Sequence, residues 1–360
     1  MPSHRTLWYN AASFGWGHAH MSDSAETSIQ GLDSLDKWLI ETIGTRGVPR
    51  IALFGAVKSG KTTYFRQLPN RQPHVQRGVE YKYWDLLSTP YPKDPETFWQ
   101  QFQRIISPNN LVLPTNAECL NELLSSTGGE ARRIVIALDG WDHARRYSES
   151  FIDLPALADL MDYVIAQDSH PPPRVLGLIL ITSFPTRDSL IKFAHREPTA
   201  GLLRISGLIT RSFRAAAMPW LSSTDAHNLV ASIVRNERVS ERIAQDCGGW
   251  PGLLQDAARV YLSSRRSDWT ESHRQTVVET HLPILLGQAI LPLLKIDWEQ
   301  GSYVEAWAEA LRRIRTKRVR PSDLGLPPAF DDTQSTRVRL FWSDVTRASA
   351  RSGEHGVLTA

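Results

Sequence analysis

A parallel β-sheet covered by helices on both faces, continued by a mostly helical region, is the fold class this sequence predicts. Three observations predict it. The segments IVIAL (134–138) and VLGLILI (175–181) are apolar throughout, and RIALF (50–54) is apolar after its first residue, as strands buried on both faces of a sheet are. Stretches with helical periodicity alternate with them, which points to parallel strands joined by crossover helices. A glycine-containing loop at 55–62 follows the first of these strands and precedes a helical segment.

Composition sets wide limits. The 360 residues include 41 basic and 38 acidic side chains, a formal net charge of +3, and 41% hydrophobic residues. That balance suits a globular chain with a core of real size, and neither demands nor excludes a polyanionic partner. Cys119 and Cys247 lie far apart and outside any CxxC spacing, so neither a disulfide scaffold nor a cysteine-rich metal site is expected. A reducing, cytoplasmic compartment fits. Residues 1–20 hold no apolar run of signal-peptide length, and Met21 is a second plausible start. His18 and His20 lack the companions a metal site needs and read as surface residues. The longest apolar stretch, Leu282 to Leu294, is broken by Pro283, Gly287, Gln288 and Pro292; it is too short to span a bilayer, and no membrane association is expected.

The elements follow in order. Leu32, Leu35, Leu39 and Ile43 fall on one face of a helix that Gly44 and Gly47 end. After RIALF and the loop, Lys61 to Leu68 reads as a helix and Val79 to Leu86 as a second strand. Asp94 is a good N-cap for a helix from Pro95 to Ile106. From about Leu221 the pattern becomes helical. The expected division is a flexible extension (1–30), a sheet-based core (31–215), a helical lid (216–265), a helical or winged-helix domain (266–348) and a disordered tail (349–360).

The loop Gly55-Ala56-Val57-Lys58-Ser59-Gly60-Lys61-Thr62 matches GxxxxGK[ST] without a departure. Its glycines let backbone N–H groups close around phosphate oxygens, and the following helix N-terminus favours negative charge. Lys61 is expected to reach the β- and γ-phosphates and Thr62 to hold Mg²⁺, with Thr63 completing the phosphate cradle. This is a P-loop, and a nucleoside triphosphate is its expected ligand.

Three further motifs depend on it. The apolar strand 134–138 ends in Asp139, the Walker B pattern, which makes Asp139 the second candidate Mg²⁺ ligand. Gly140 stands where many ATPases carry a glutamate that polarises the attacking water. Asp142 is the nearest candidate for that role, against a plain reading as a loop aspartate capping the next helix. The fourth strand ends in Thr182 and Ser183, at the sheet edge where ligands bind in open parallel sheets. Either hydroxyl is a candidate for the γ-phosphate or the water, and equally for a local cap. Arg187 is a candidate sensor or a surface arginine. Last, Cys247-Gly248-Gly249-Trp250-Pro251-Gly252-Leu253-Leu254 is a corner at which one helix stops and another starts.

Taken in order, GAVKSGKTT, IVIALDGWD, LILITS and CGGWPGLL resemble the STAND class of signalling ATPases, which is related to the AAA-type ATPases. The resemblance spans about Gly31 to Tyr261. It implies ATP or ADP held between sheet and lid, Pro251 near the adenine or ribose, and an ADP-bound closed state that opens with ATP. Met218 to Ala226 is similar to the segment that opens the lid. There are departures. Phe184 stands where the class often has arginine, and Leu253-Leu254 follow Gly252 and not Pro251. No large effector domain precedes the P-loop and no repeat array follows the lid, so the chain is expected to act with a partner encoded separately.

Two functional readings come first, the leading one named before its alternative. One is a slow ATPase switch of the STAND kind whose nucleotide state controls self-assembly or protein-partner binding. The other is a DNA-associated AAA-type ATPase, of the replication-initiator or transposition-regulator type. Nucleic-acid contact would run through Arg312 to Arg320, which holds six basic residues in nine and reads otherwise as a solvated helix end. A small-molecule kinase ranks last, because the lid-like corner and long helical tail have no place in one. Arg337 to Trp342 is a candidate wing strand.

Overall fold

The structure, a computed structural model, describes residues 33–44, 47–55, 58–68, 78–86, 92, 94–107, 117–126, 133–142, 155–169, 174–184, 187–196, 199–264 and 266–277. The winged-helix region, Arg337 to Trp342, the basic tract Arg312 to Arg320, the apolar stretch 282–294, both chain ends, and Ala56 and Val57 of the loop lie outside the described residues.

Five strands form one sheet: β1 (Arg50–Phe54), β2 (Val79–Asp85), β3 (Arg133–Asp139), β4 (Val175–Ile181) and β5 (Arg214–Ala217). Their order is β2-β3-β4-β1-β5, and every pairing is parallel. The expected parallel sheet is therefore present. β1 sits between β4 and β5, so the loop after it leaves from an interior strand, beside the end of β4.

Alternation along the strands divides the core in two. Ala52, Phe54, Ile134, Ile136, Leu138, Leu176, Leu178 and Leu180 face helices α3 (Pro95–Ile106), α4 (Ala117–Ser126), α5 (Pro155–Ala166), α6 (Arg187–Arg196) and α7 (Ala200–Ser212). Ile51, Leu53, Val135, Ala137, Ile179 and Ile181 face α1 (Asp33–Gly44) and α2 (Lys61–Gln67). Helices thus cover both faces, as strands apolar on both sides require. Leu35, Leu39 and Ile43 are the buried stripe of α1. Asp94 caps α3, accepting from the Thr97 N–H at 2.7 Å, with Pro95 in the first turn. Trp84 of β2 packs on Phe98 of that helix with ring centroids 5.0 Å apart.

β5 runs to Ala217, so the last strand crosses residue 215, and the helical segment begins with α8 (Ser223–Val234). Ser222 caps α8 and Asn236 caps α9 (Glu237–Cys247), each accepting a backbone N–H three residues on. Gly248, with φ 63°, turns the chain after α9, and Pro251 opens α10 (Pro251–Ser263). Trp250 is fully buried at this corner, 5.7 Å from the Trp220 ring. A short helix, α11 (Glu271–Thr276), follows.

Candidate functional site: a phosphate loop at the carboxyl edge of the sheet

β1 ends at Phe54, and its neighbours hold the loop that follows. The Gly55 N–H donates to the Phe184 carbonyl at 2.9 Å, and the Met218 N–H donates to the Phe54 carbonyl at 2.7 Å. Gly60 begins α2 with φ 93°, a conformation that costs an L side chain and costs glycine little. The turn aims the α2 N-terminus at the loop interior. Lys61 is buried, with its Nζ on the Gly55 carbonyl at 2.6 Å and near Ser59 Oγ at 3.3 Å. The lysine is thus folded across the mouth of its own loop.

One turn of helix brings Thr62 against the end of β3. Thr62 Oγ1 donates to Asp139 Oδ2 at 2.6 Å, joining two motifs 77 residues apart. The Gly140 N–H donates to Asp139 Oδ1 at 2.8 Å, and the Tyr83 hydroxyl donates to Oδ2 at 2.9 Å. A hydroxyl and a carboxylate oxygen at this separation form a hard-oxygen donor pair, the chemistry Mg²⁺ takes, with phosphate oxygens and water completing the shell. These residues fit the cation. Among the described residues, no cluster of three or more His, Cys, Asp or Glu side chains could hold a metal by itself.

Tyr83 comes from β2 and had no sequence signal beyond strand alternation. Burial pushes its phenol far above the ordinary tyrosine range, and the negative charges of Asp139 and Asp85 push the same way. It therefore remains a proton donor to Asp139.

Asp142 has different partners. Its Oδ2 accepts from Thr182 Oγ1 at 2.7 Å, the Ser183 N–H at 2.5 Å and Ser183 Oγ at 2.9 Å. Its Oδ1 is buried and has no hydrogen-bond partner among the described residues. Thr182 Oγ1 also accepts from the Phe184 N–H at 2.9 Å. The three polar candidates Asp142, Thr182 and Ser183 therefore form one cluster at the end of β4. Arg187 is the first residue of α6 and half-buried, with no hydrogen bond among the described residues.

The helical segment returns to the loop. The Gly252 N–H donates to the Lys58 carbonyl at 3.0 Å, and Lys58 Nζ pairs with Asp256 of α10 at 3.0 Å. Any side chain at Gly252 would place its Cβ 2.4 Å from Lys58 Cβ, so the approach requires glycine. Pro251 is buried in the first turn of α10, next to this contact. The helical segment reaches the loop through Gly252 and Asp256, contacts that the sequence did not single out.

The loop after β1, the Thr62–Asp139 pair and the parallel sheet with helices on both faces are those of a P-loop NTPase fold. The chain is similar in fold to Cdc6p from Pyrobaculum aerophilum, at 13% identity and TM-score 0.46, covering 92% of this chain and 97% of that one. It is similar to the Aeropyrum pernix ORC2 protein in its ADP form, at 14% identity and TM-score 0.46, covering 88% and 93%. It is also similar to AMPPCP-bound DnaA from Aquifex aeolicus, at 12% identity and TM-score 0.38, covering 91% of each. At these identities the likeness concerns the fold alone. No protein-family model matches the sequence, and no curated protein does. Among the described residues, no helix is long and apolar enough to cross a membrane.

Proposed function

We propose that this chain is an AAA-type ATPase that binds ATP and ADP with Mg²⁺, hydrolyses ATP slowly, and converts nucleotide state into lid position. The observation that carries the reading is the contact of the phosphate loop with both the Walker B strand and the lid. Lys61 and the loop N–H groups bind the phosphates, and Thr62 and Asp139 hold the cation. Mg²⁺, when bound, neutralises charge on the β- and γ-phosphate oxygens. Asp142, with one carboxylate oxygen unpartnered among the described residues, orients the attacking water; Ser183 holds Asp142, and Arg187 is the candidate sensor.

Lys58 gives the coupling a physical form. Its carbonyl and its ammonium both bond to α10, so a phosphate that rearranges the loop moves an acceptor and a cation that the lid uses. Pro251 borders the same contact and is proposed to lie near the base or ribose.

Two readings of what the switch controls remain, DNA-associated assembly and a STAND-type signalling switch, and Phe184 weighs against the second. At the place where the signalling class often carries arginine, this chain packs an aromatic ring on Phe193, with centroids 5.2 Å apart. The proposal includes self-association or a protein partner, and DNA contact through the basic tract at 312–320. It is tested by ATP hydrolysis with and without duplex DNA across a salt series. Stimulation that fades with salt supports the DNA reading. Unchanged turnover together with nucleotide-dependent self-association supports the signalling reading.

A further inference from the structure

The edge strand β2 supplies a part of the site that the motifs do not account for. Its side chains alternate. Trp84 and Leu86 enter the core facing α3, while Tyr81 and Tyr83 pack toward α1 and α2. Asp85, two residues beyond Tyr83, lies on the same side as Tyr83. The register sets Tyr83 opposite Ala137 and Asp85 opposite Asp139. Ala137 is too small to fill the space beside a tyrosine, so the phenol can run along the strand to Asp139, two residues on. There it bonds the same carboxylate oxygen that Thr62 bonds.

The ring is itself held. Arg66 stands one helical turn after Thr62 on α2 and projects to the same side. Its guanidinium pairs with Asp85 at 2.6 Å, and its Cζ lies 5.6 Å from the Tyr83 ring centroid. The Asp85 side chain is 11% exposed and the Arg66 side chain 54%, so the pair is shielded on its carboxylate side. Arg66, which Asp85 anchors, then Tyr83, Asp139 and Thr62 thus form a chain of contacts that starts and ends on the phosphate-loop helix.

We propose that Tyr83 is a positioning residue for the cation site, fixing the Asp139 carboxylate, and that the Arg66–Asp85 pair holds Tyr83 in place. The inference rests on the nucleotide-binding reading of the loop and deepens it. Hydrogen bonds to a ligating carboxylate set its orientation, and their loss typically costs ten-fold or more in metal affinity. A role confined to packing would alter stability without altering how much Mg²⁺ strengthens nucleotide binding.

The test is a titration of the full-length protein with a fluorescent ADP analogue, with Mg²⁺ and with EDTA. Tyr83→Phe removes only the hydroxyl. The expected result is an unchanged affinity in EDTA and about a ten-fold smaller gain on adding Mg²⁺. In an Asp139→Asn background, Tyr83→Phe should cause no further loss, because the two groups act as one unit. Asp85→Asn leaves the phenol in place and loosens its clamp, and should reduce the Mg²⁺ gain by a smaller factor. It also serves as the second variant should Tyr83→Phe fold poorly by thermal melting. A full Mg²⁺ gain in Tyr83→Phe, or losses that add to those of Asp139→Asn, would overturn the inference. A wild-type protein that binds no nucleotide under either condition would overturn the underlying site reading, and the two failures are distinguishable.

Discussion

Asp139 and Asp142 lie three residues apart at the end of β3, yet they are tied to different parts of the molecule. Asp139 is tied to the phosphate-loop helix through Thr62 and to the edge strand through Tyr83. Asp142 is tied to the end of β4 through Thr182 and Ser183, and one of its oxygens is left without a described partner. A carboxylate saturated by fixed donors holds its position and suits a permanent cation ligand. A carboxylate with a spare, desolvated oxygen carries an unmet demand for a donor, which an attacking water can fill. On the proposed reading the same residue type is set to two tasks by its neighbours, with the Gly140 turn between them.

The largest expected effect lies upstream of both aspartates. Lys61→Ala should lower nucleotide affinity by about a hundred-fold or more, because the buried ammonium is the loop's charge partner for phosphate. Direct titration checks this, and retained affinity would make the aspartate comparison irrelevant. Next, Asp142→Asn should slow single-turnover ATP hydrolysis by about ten- to a hundred-fold while leaving ATP affinity unchanged. Unchanged turnover would reduce Asp142 to a clamp on the end of β4. Gly252→Ala should follow with a smaller effect. The added methyl pushes α10 away from Lys58, and ADP should dissociate several-fold faster in stopped-flow release, because the lid then rests less closely on the loop. Asp256→Asn should move the same rate in the same direction by less.

The smallest effect belongs to a group that touches neither aspartate. His273 is buried between Ser264, Thr270 and the stacked Trp269 ring. Burial, then the positive charge of Arg266, lowers its pKa below the ordinary 6.5. A lowered histidine pKa contributes stability above the unfolded value and loses it as pH falls through the folded value. Thermal melting between pH 7 and 5 should therefore show a fall that His273→Gln reduces. Hydrolysis per folded molecule should not follow the same curve.

The sheet and the phosphate loop were legible because each rests on local pattern. Runs of Ile, Leu and Val bury both faces of a strand, and GAVKSGKT permits one kind of loop. Asp139 was legible as the polar end of an apolar strand. Tyr83 was not, because its role comes from a parallel register that opposes it to Ala137, and register is a tertiary property. Gly252 and Asp256 were hidden for the same reason: Gly252 read as part of a helical corner, and Asp256 as one aspartate among many. β5 was missed because RAAA has neither the length nor the branched side chains of a strand, and pairing with β1 is what makes it one. The helices α4 to α7 were not delimited from sequence, although α7 carries a side-chain cap, Thr199 Oγ1 accepting from the Leu202 N–H at 3.2 Å.

The central claim is that the loop from Gly55 to Thr62 holds a nucleotide beneath the helical lid. It is tested most directly by denaturing the purified protein and identifying what it releases by chromatography, with Lys61→Ala alongside. The account predicts stoichiometric ADP from the wild type and none from the variant. Equal nucleotide from both, or a wild type that is empty and binds neither ATP nor ADP when they are supplied with Mg²⁺, would contradict it.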